Sequence, residues 1–217
     1  MSQPERVLIA GPVGDIEAVI DRPQAEARGI AIVAHPHPLF GGSLDNKVVW
    51  ALARACTDQG WIALRPNFRG VGATAGVHDH GDGETDDLHA VWAYACERFE
   101  LTATVLAGFS FGAHVQTRFA QRLAAEGRPP QRLILVGMAT GFVAGGRRYD
   151  AGEVARGTLV IHGELDDTVP LANVLDWARP QSLPVTVIPG ADHFFHGKLQ
   201  PIRDLVGTSL AGLVALG

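Results

Sequence analysis

The sequence predicts an α/β fold: a mostly parallel sheet of eight strands with helices on both faces and no cap domain. Two observations carry this. From Gly29 onward short apolar runs alternate with longer amphipathic segments, the order of a parallel sheet joined by crossover helices. The run GIAIVAH (29–35) is apolar almost throughout rather than at every second residue, as expected of a strand covered on both sides.

Taken in order, RVLIAG (6–11) and GDIEAVID (14–21) read as two strands joined by a Pro/Gly turn. GIAIVAH is the third. A helix follows over NKVVWALARACTDQG, with Asp45 as its expected N-cap and Gly60 as its stop. WIALRPN (61–67) is the fourth strand. The stretch 68–84 carries glycines without periodicity and reads as loop. A helix is expected from about Thr85 to Phe99, with Leu88, Val91, Trp92 and Ala95 on one face. TATVLAG leads into a helix over 111–127. QRLILVG (131–137), GTLVIHG (157–163) and LPVTVIPG (183–190) complete the strands, with a helix near 171–179. The interval 138–157 holds a turn or a short helix but no lid. The tail from Leu199 to Leu216 closes the fold as an amphipathic helix whose apolar face is Leu205, Leu210, Leu213 and Val214. No linker or repeat interrupts 1–217, so one domain is expected.

Composition narrows the function. With 18 basic and 23 acidic side chains the net charge is −5. No basic stripe marks a nucleic-acid partner. The start lacks the pattern of a signal peptide, and no apolar run is long enough to cross a membrane. Two cysteines, Cys56 and Cys96, make no disulfide framework. A soluble cytoplasmic protein, monomer or homodimer, is expected.

The chemistry gathers at LAGFSFGAH (106–114). Gly108-Phe-Ser110-Phe-Gly112 is a G-x-S-x-G between a strand and a helix, the context in which a serine is held on a tight turn. A serine hydroxyl needs a base to become a nucleophile. The order Ser…acid…His is then completed from later strand ends. LVIHGELDDTVP offers Glu164, Asp166 and Asp167. Asp166 is chosen for its place in H-G-x-x-D-x-x-V, with Asp167 as the alternative. VIPGADHFFHG offers His193 as base, with His196 second. Backbone N–H groups of Phe111 and of the 36–40 loop would receive an oxyanion. Pro36 and Pro38 have no N–H, so His37, Leu39 and Phe40 remain, and His37 is favoured. His114, four residues beyond Ser110, is expected to pack within its helix. The H-x-H pairs at 35/37 and 78/80 lie on loops without a metal-binding spacing. No phosphate loop or dinucleotide motif occurs. Neither metal nor cofactor is expected.

The segments HPHPLFGGSLDNKVV, RPNFRGVGATAG, DHGDGETDD, LAGFSFGAHV, HGELDDTVP and DHFFHGKL together resemble the α/β-hydrolase superfamily. Within it they resemble a small cap-less bacterial group related to dienelactone hydrolases and to acyl-peptide and prolyl peptidases. That resemblance implies a serine hydrolase with Ser110 as nucleophile, Asp166 as acid and His193 as base. It also implies that Arg69 braces loops at the rim. His114 stands where the group leads one to expect an aromatic residue. The expected reaction is cleavage of small carboxylic esters. Thioesters, small peptides or amides, and a non-catalytic binding scaffold are the alternatives. The expected walls are His37, Leu39, Phe40, Phe109, Phe111, Phe142, Phe194 and Phe195. Leu39, Phe40, Phe142 and Phe194 are the expected substrate contacts.

Overall fold

The computed structural model describes residues 3–213. Val214 and Leu216, assigned above to the last helix, lie outside the described residues. The strands are β1 (Glu5–Gly11), β2 (Gly14–Asp21), β3 (Gly29–Ala34), β4 (Trp61–Pro66), β5 (Thr104–Phe109), β6 (Arg132–Val136), β7 (Gly141–Val143), β8 (Arg147–Tyr149), β9 (Leu159–Gly163) and β10 (Val185–Ile188). The helices are α1 (Lys47–Asp58), α2 (Asp82–Phe99), α3 (Phe111–Ala125), α4 (Leu171–Ala178) and α5 (Leu199–Ala211).

Eight strands form one sheet in the order β1-β2-β4-β3-β5-β6-β9-β10. β1 pairs antiparallel with β2, and β2 with β4. From β4 to β10 every neighbour is parallel. This is the α/β-hydrolase fold without a lid.

The continuous apolar runs are explained by the two cores. Ile30, Ile32 and Leu106 face one way and pack with Leu88 and Val91 of α2, Val115, Phe119 and Leu123 of α3, and Val174 of α4. Ala31, Val33, Val105 and Ala107 face the other way, against Val48, Val49 and Leu52 of α1 and Ile202, Val206 and Leu210 of α5. Successive strand residues point to opposite faces, so a strand with helices on both sides has few polar positions to offer. The buried face of α5 is therefore Ile202, Val206 and Leu210, with Leu205 and Leu213 partly buried beside it.

Three local expectations are corrected. The N-cap of α1 is Asn46, whose Oδ1 accepts from the Val48 N–H at 2.9 Å. Asp45 instead points outward toward Arg6 and Arg65. Helix α2 starts at Asp82, three residues before Thr85. Its first turn is held by the buried Glu84 carboxylate, which accepts the Gly81 N–H at 2.8 Å and the Asp79 N–H at 3.0 Å. Such a turn has no apolar period to read. Finally, 138–157 holds neither bare turn nor helix but the antiparallel hairpin β7–β8. Asn173 of α4 ties it down, donating from Nδ2 to the carbonyls of Thr140 at 3.2 Å and Phe142 at 2.6 Å.

Candidate active site

β5 ends at Phe109 and α3 begins at Phe111, so a single residue turns the chain. That residue, Ser110, has φ 55° and ψ −117°. A side chain at such angles is strained, by about 1–3 kcal/mol, and must be held from outside. Val136 of β6 does so, accepting the Ser110 N–H at 2.9 Å, and the Ala139 N–H donates to the Ser110 carbonyl at 3.2 Å. The two flanking glycines are required by space. A β-carbon on Gly108 would stand 2.6 Å from the Ala113 nitrogen, and one on Gly112 would collide with the Ala34 and His35 carbonyl oxygens.

His193 and Asp166 arrive on two loops that are joined to each other. The Leu165 N–H donates to the Ala191 carbonyl at 2.9 Å, and Glu164 accepts the Gly190 N–H at 2.7 Å. His193 Nε2 lies 3.1 Å from Ser110 Oγ, and its Nδ1 lies 2.7 Å from Asp166 Oδ2. Asp166 Oδ1 accepts the N–H groups of Thr168 at 3.0 Å and Val169 at 2.7 Å. The Phe109 ring lies under the imidazole, 5.1 Å between centroids. All three side chains are almost wholly enclosed, so their hydrogen bonds face little competition from water.

The competing residues are elsewhere. Asp167 is exposed on its loop. His196 is exposed and pairs with Asp192. His114 is buried against Phe111 and Tyr149, and burial lowers its pKa to about 4. Arg69 binds Asp87 through Nε and Nη2 at 2.7 and 3.0 Å, an internal brace between the 68–81 loop and α2.

The loop after β3 lies beside the serine. Within it the Leu39 N–H donates to His37 Nδ1 at 3.2 Å and the Phe40 N–H to the His37 carbonyl at 3.1 Å. The His37 and Phe111 N–H groups have no acceptor among the described residues. The His37 ring packs 4.9 Å from that of Phe111, which brings this loop against the start of α3. Burial, and then the neighbouring His78 and Arg147, lower the His37 pKa to about 4.

His35, which the sequence marked as a strand end and as half of an H-x-H pair, anchors the loop. Its Nδ1 lies 2.6 Å from the Pro36 carbonyl, and its Nε2 accepts the Phe68 N–H at 2.8 Å. Nδ1 therefore carries the proton and the ring is neutral; burial lowers its pKa to about 4. His162 was likewise unassigned, although it opens the H-G-x-x-D pattern. It is buried behind Asp166, with Nε2 3.3 Å from Oδ2.

Of the expected walls, Leu39, Phe40, Phe142 and Phe194 are exposed. Phe109, Phe111 and Phe195 are corrected: each is fully buried in the cores, where aromatic area stabilises most. The Arg147 guanidinium of β8 stacks over Phe40, 4.1 Å from the ring centre, and so links the hairpin to the His37 loop. Among the described residues no three His, Cys, Asp or Glu side chains converge as a metal site, and no helix is long and apolar enough to cross a membrane.

No family model matches the chain. It is similar to an α/β serine hydrolase without lid from Xanthomonas campestris, 37% identical, covering 97% of this chain and 94% of that one with a TM-score of 0.85. It is also similar to an α/β serine hydrolase homologue from Coxiella burnetii, 38% identical, covering 97% and 99% with a TM-score of 0.84. An uncharacterized protein of Rickettsia prowazekii (strain Madrid E) is 30% identical over 217 residues, covering 94% of this chain and 88% of that protein.

Proposed function

The chain belongs to the α/β serine hydrolases without a lid, and from that premise we propose that it cleaves small carboxylic esters through an acyl-enzyme on Ser110. His193 is the general base and Asp166 the residue that orients it. The single observation that carries this reading is the hydrogen-bonded line Ser110 Oγ–His193 Nε2, 3.1 Å, and His193 Nδ1–Asp166 Oδ2, 2.7 Å.

The steps follow from the groups present. His193 Nε2 takes the hydroxyl proton as Oγ bonds to the ester carbonyl carbon. The carbonyl oxygen becomes an oxyanion, received by the Phe111 and His37 N–H groups. The C–O bond to the alcohol breaks, and the imidazolium returns its proton to the leaving oxygen. Water then gives a proton to Nε2 as its oxygen bonds to the acyl carbon; the C–Oγ bond breaks, Ser110 Oγ takes that proton back from Nε2, and the carboxylic acid is released. Asp166 fixes the tautomer with the proton on Nδ1 and stabilises the imidazolium.

Leu39, Phe40, Phe142 and Phe194 give an open, apolar approach, which favours short acyl or aryl groups over long polar substrates. We infer further that the chain works as a single domain, and in the cytoplasm, a reading of compartment supported by two cysteines that are both free. Labelling by a fluorophosphonate tests the reaction. The expected result is one adduct on Ser110, absent in Ser110→Ala. No adduct on folded protein, or an adduct that survives the substitution, overturns it.

A further inference from the structure

One buried histidine beside the proposed triad takes no part in that chemistry. His162, near the end of β9, is fully enclosed. Its Nε2 lies 2.9 Å from the Val169 carbonyl oxygen and 3.3 Å from Asp166 Oδ2. A carbonyl has no proton to give, so Nε2 carries the hydrogen and Nδ1 the lone pair. Nδ1 is buried and has no partner among the described residues. Burial lowers the pKa of the ring, against the pull of Asp166, and keeps it neutral. A buried nitrogen left unsatisfied is a standing cost, and what the residue offers in return is the N–H on its other side.

That N–H bonds to the Val169 carbonyl and stands 3.3 Å from Asp166 Oδ2. Val169 closes the turn that starts at Asp166, and the Val169 N–H is one of the two donors holding Oδ1. By accepting from Nε2–H, the Val169 carbonyl anchors this turn to β9. The same N–H sets the positive end of its dipole beside Oδ2, the oxygen that faces His193 Nδ1 at 2.7 Å. We propose that His162 is a positioning residue of the triad, fixing the orientation of Asp166 and drawing off part of the charge its Oδ2 presents to His193. This rests on the reading of Ser110, His193 and Asp166 given above.

The surroundings favour a direct effect. Asp166 and His193 are the titratable groups acting on His162. Val187 of β10 pairs with it in register, Val136 of β6 pairs with the preceding Ile161, and Val174 of α4 packs on the Val169 side. Glu164 and Asp167 of its own loop are exposed. Removing the N–H leaves more negative charge on Oδ2. The imidazolium is then favoured, and the acidic limb of the kcat/KM profile moves to higher pH.

The test compares His162→Leu, which lacks the donor, with His162→Gln, whose side-chain amide can restore an N–H toward Val169. Fluorophosphonate labelling of the parent protein comes first: failure there overturns the triad reading itself. With labelling intact, His162→Leu is expected to lose about tenfold in kcat with KM little changed, and to shift the acidic limb up by about 0.5 pH unit or more; His162→Gln recovers both in part. A His162→Leu profile that matches the parent, with only thermal stability lowered, overturns the positioning role alone. Nitrogen-15 NMR of the parent protein provides a reading that needs no variant. The proton is expected on Nε2 of His162, and its resonance is expected to move when Ser110 is phosphonylated. A proton on Nδ1, or a resonance that does not respond, overturns the proposal.

Discussion

Asp166 Oδ2 lies 2.7 Å from His193 Nδ1, while Asp166 Oδ1 is held by two backbone N–H groups. The carboxylate is thus fixed at both oxygens before it meets the imidazole. Asp166→Asn keeps the shape but favours the wrong tautomer of His193. The expected loss is about 10³–10⁴-fold in kcat, while Asp167→Asn stays within about twofold of the parent. Steady-state kinetics on both purified variants, with matched circular dichroism, decides between the two aspartates.

The turn at Ser110 stores strain that glycine would not feel. Ser110→Ala and Ser110→Gly both remove the hydroxyl, yet only glycine accepts φ 55° and ψ −117° without a β-carbon to accommodate. The glycine variant is expected to be more stable than the alanine variant by about 1 kcal/mol. Urea denaturation of the pair measures this, and equal midpoints would remove the strain assigned to the turn.

Acid should weaken the fold through histidines kept neutral. His35 and His114 have their pKa values lowered by burial to about 4, below the ordinary value of 6.5. Between those limits the unfolded chain binds protons that the folded chain refuses. Stability is therefore full above pH 6.5 and falls as pH drops toward 4. His114→Phe removes one such site, and its Nδ1 has no partner to lose among the described residues. The variant is expected to show a smaller drop in urea midpoint between pH 7 and pH 5 than the parent; an unchanged drop contradicts the assignment.

The exposed side chains Leu39 and Phe142 are expected to set acyl preference. Leu39→Ala and Phe142→Ala should alter the ratio of kcat/KM between short and longer p-nitrophenyl esters by about threefold or more, the loss of one or two apolar contacts. Ratios identical to the parent's would show that neither residue lines the substrate path.

Much of this architecture could be read from the chain. The strands announce themselves because residues such as Ile32 and Val33 must satisfy different cores at once. Ser110, Asp166 and His193 stand out because each follows a strand in an order that few sequences offer by accident. What escaped is held by polar contacts rather than by periodicity. The first turn of α2 depends on Glu84 reaching back to Gly81, and the hairpin β7–β8 on Asn173 reaching across from α4. The burial of Phe111 and Phe195 was hidden for another reason: a phenylalanine next to a catalytic motif looks the same in sequence whether it faces substrate or core. His162 was legible as part of a motif, but its partner Val169 is fixed only once the loop closes.

The hairpin β7–β8 has a further use. Its tip, Gly145–Gly146, is exposed, both residues have positive φ, and a β-carbon on Gly146 meets nothing. Loop tips of this kind accept inserted sequence without disturbing the elements below them. Helical inserts grafted between Gly145 and Gly146 would extend from the hairpin that Arg147 links to Phe40 of the His37 loop, while leaving β5, β9 and the loop after β10 unaltered. The fold thus carries a ready grafting port, through which substrate access can be engineered separately from the chemistry.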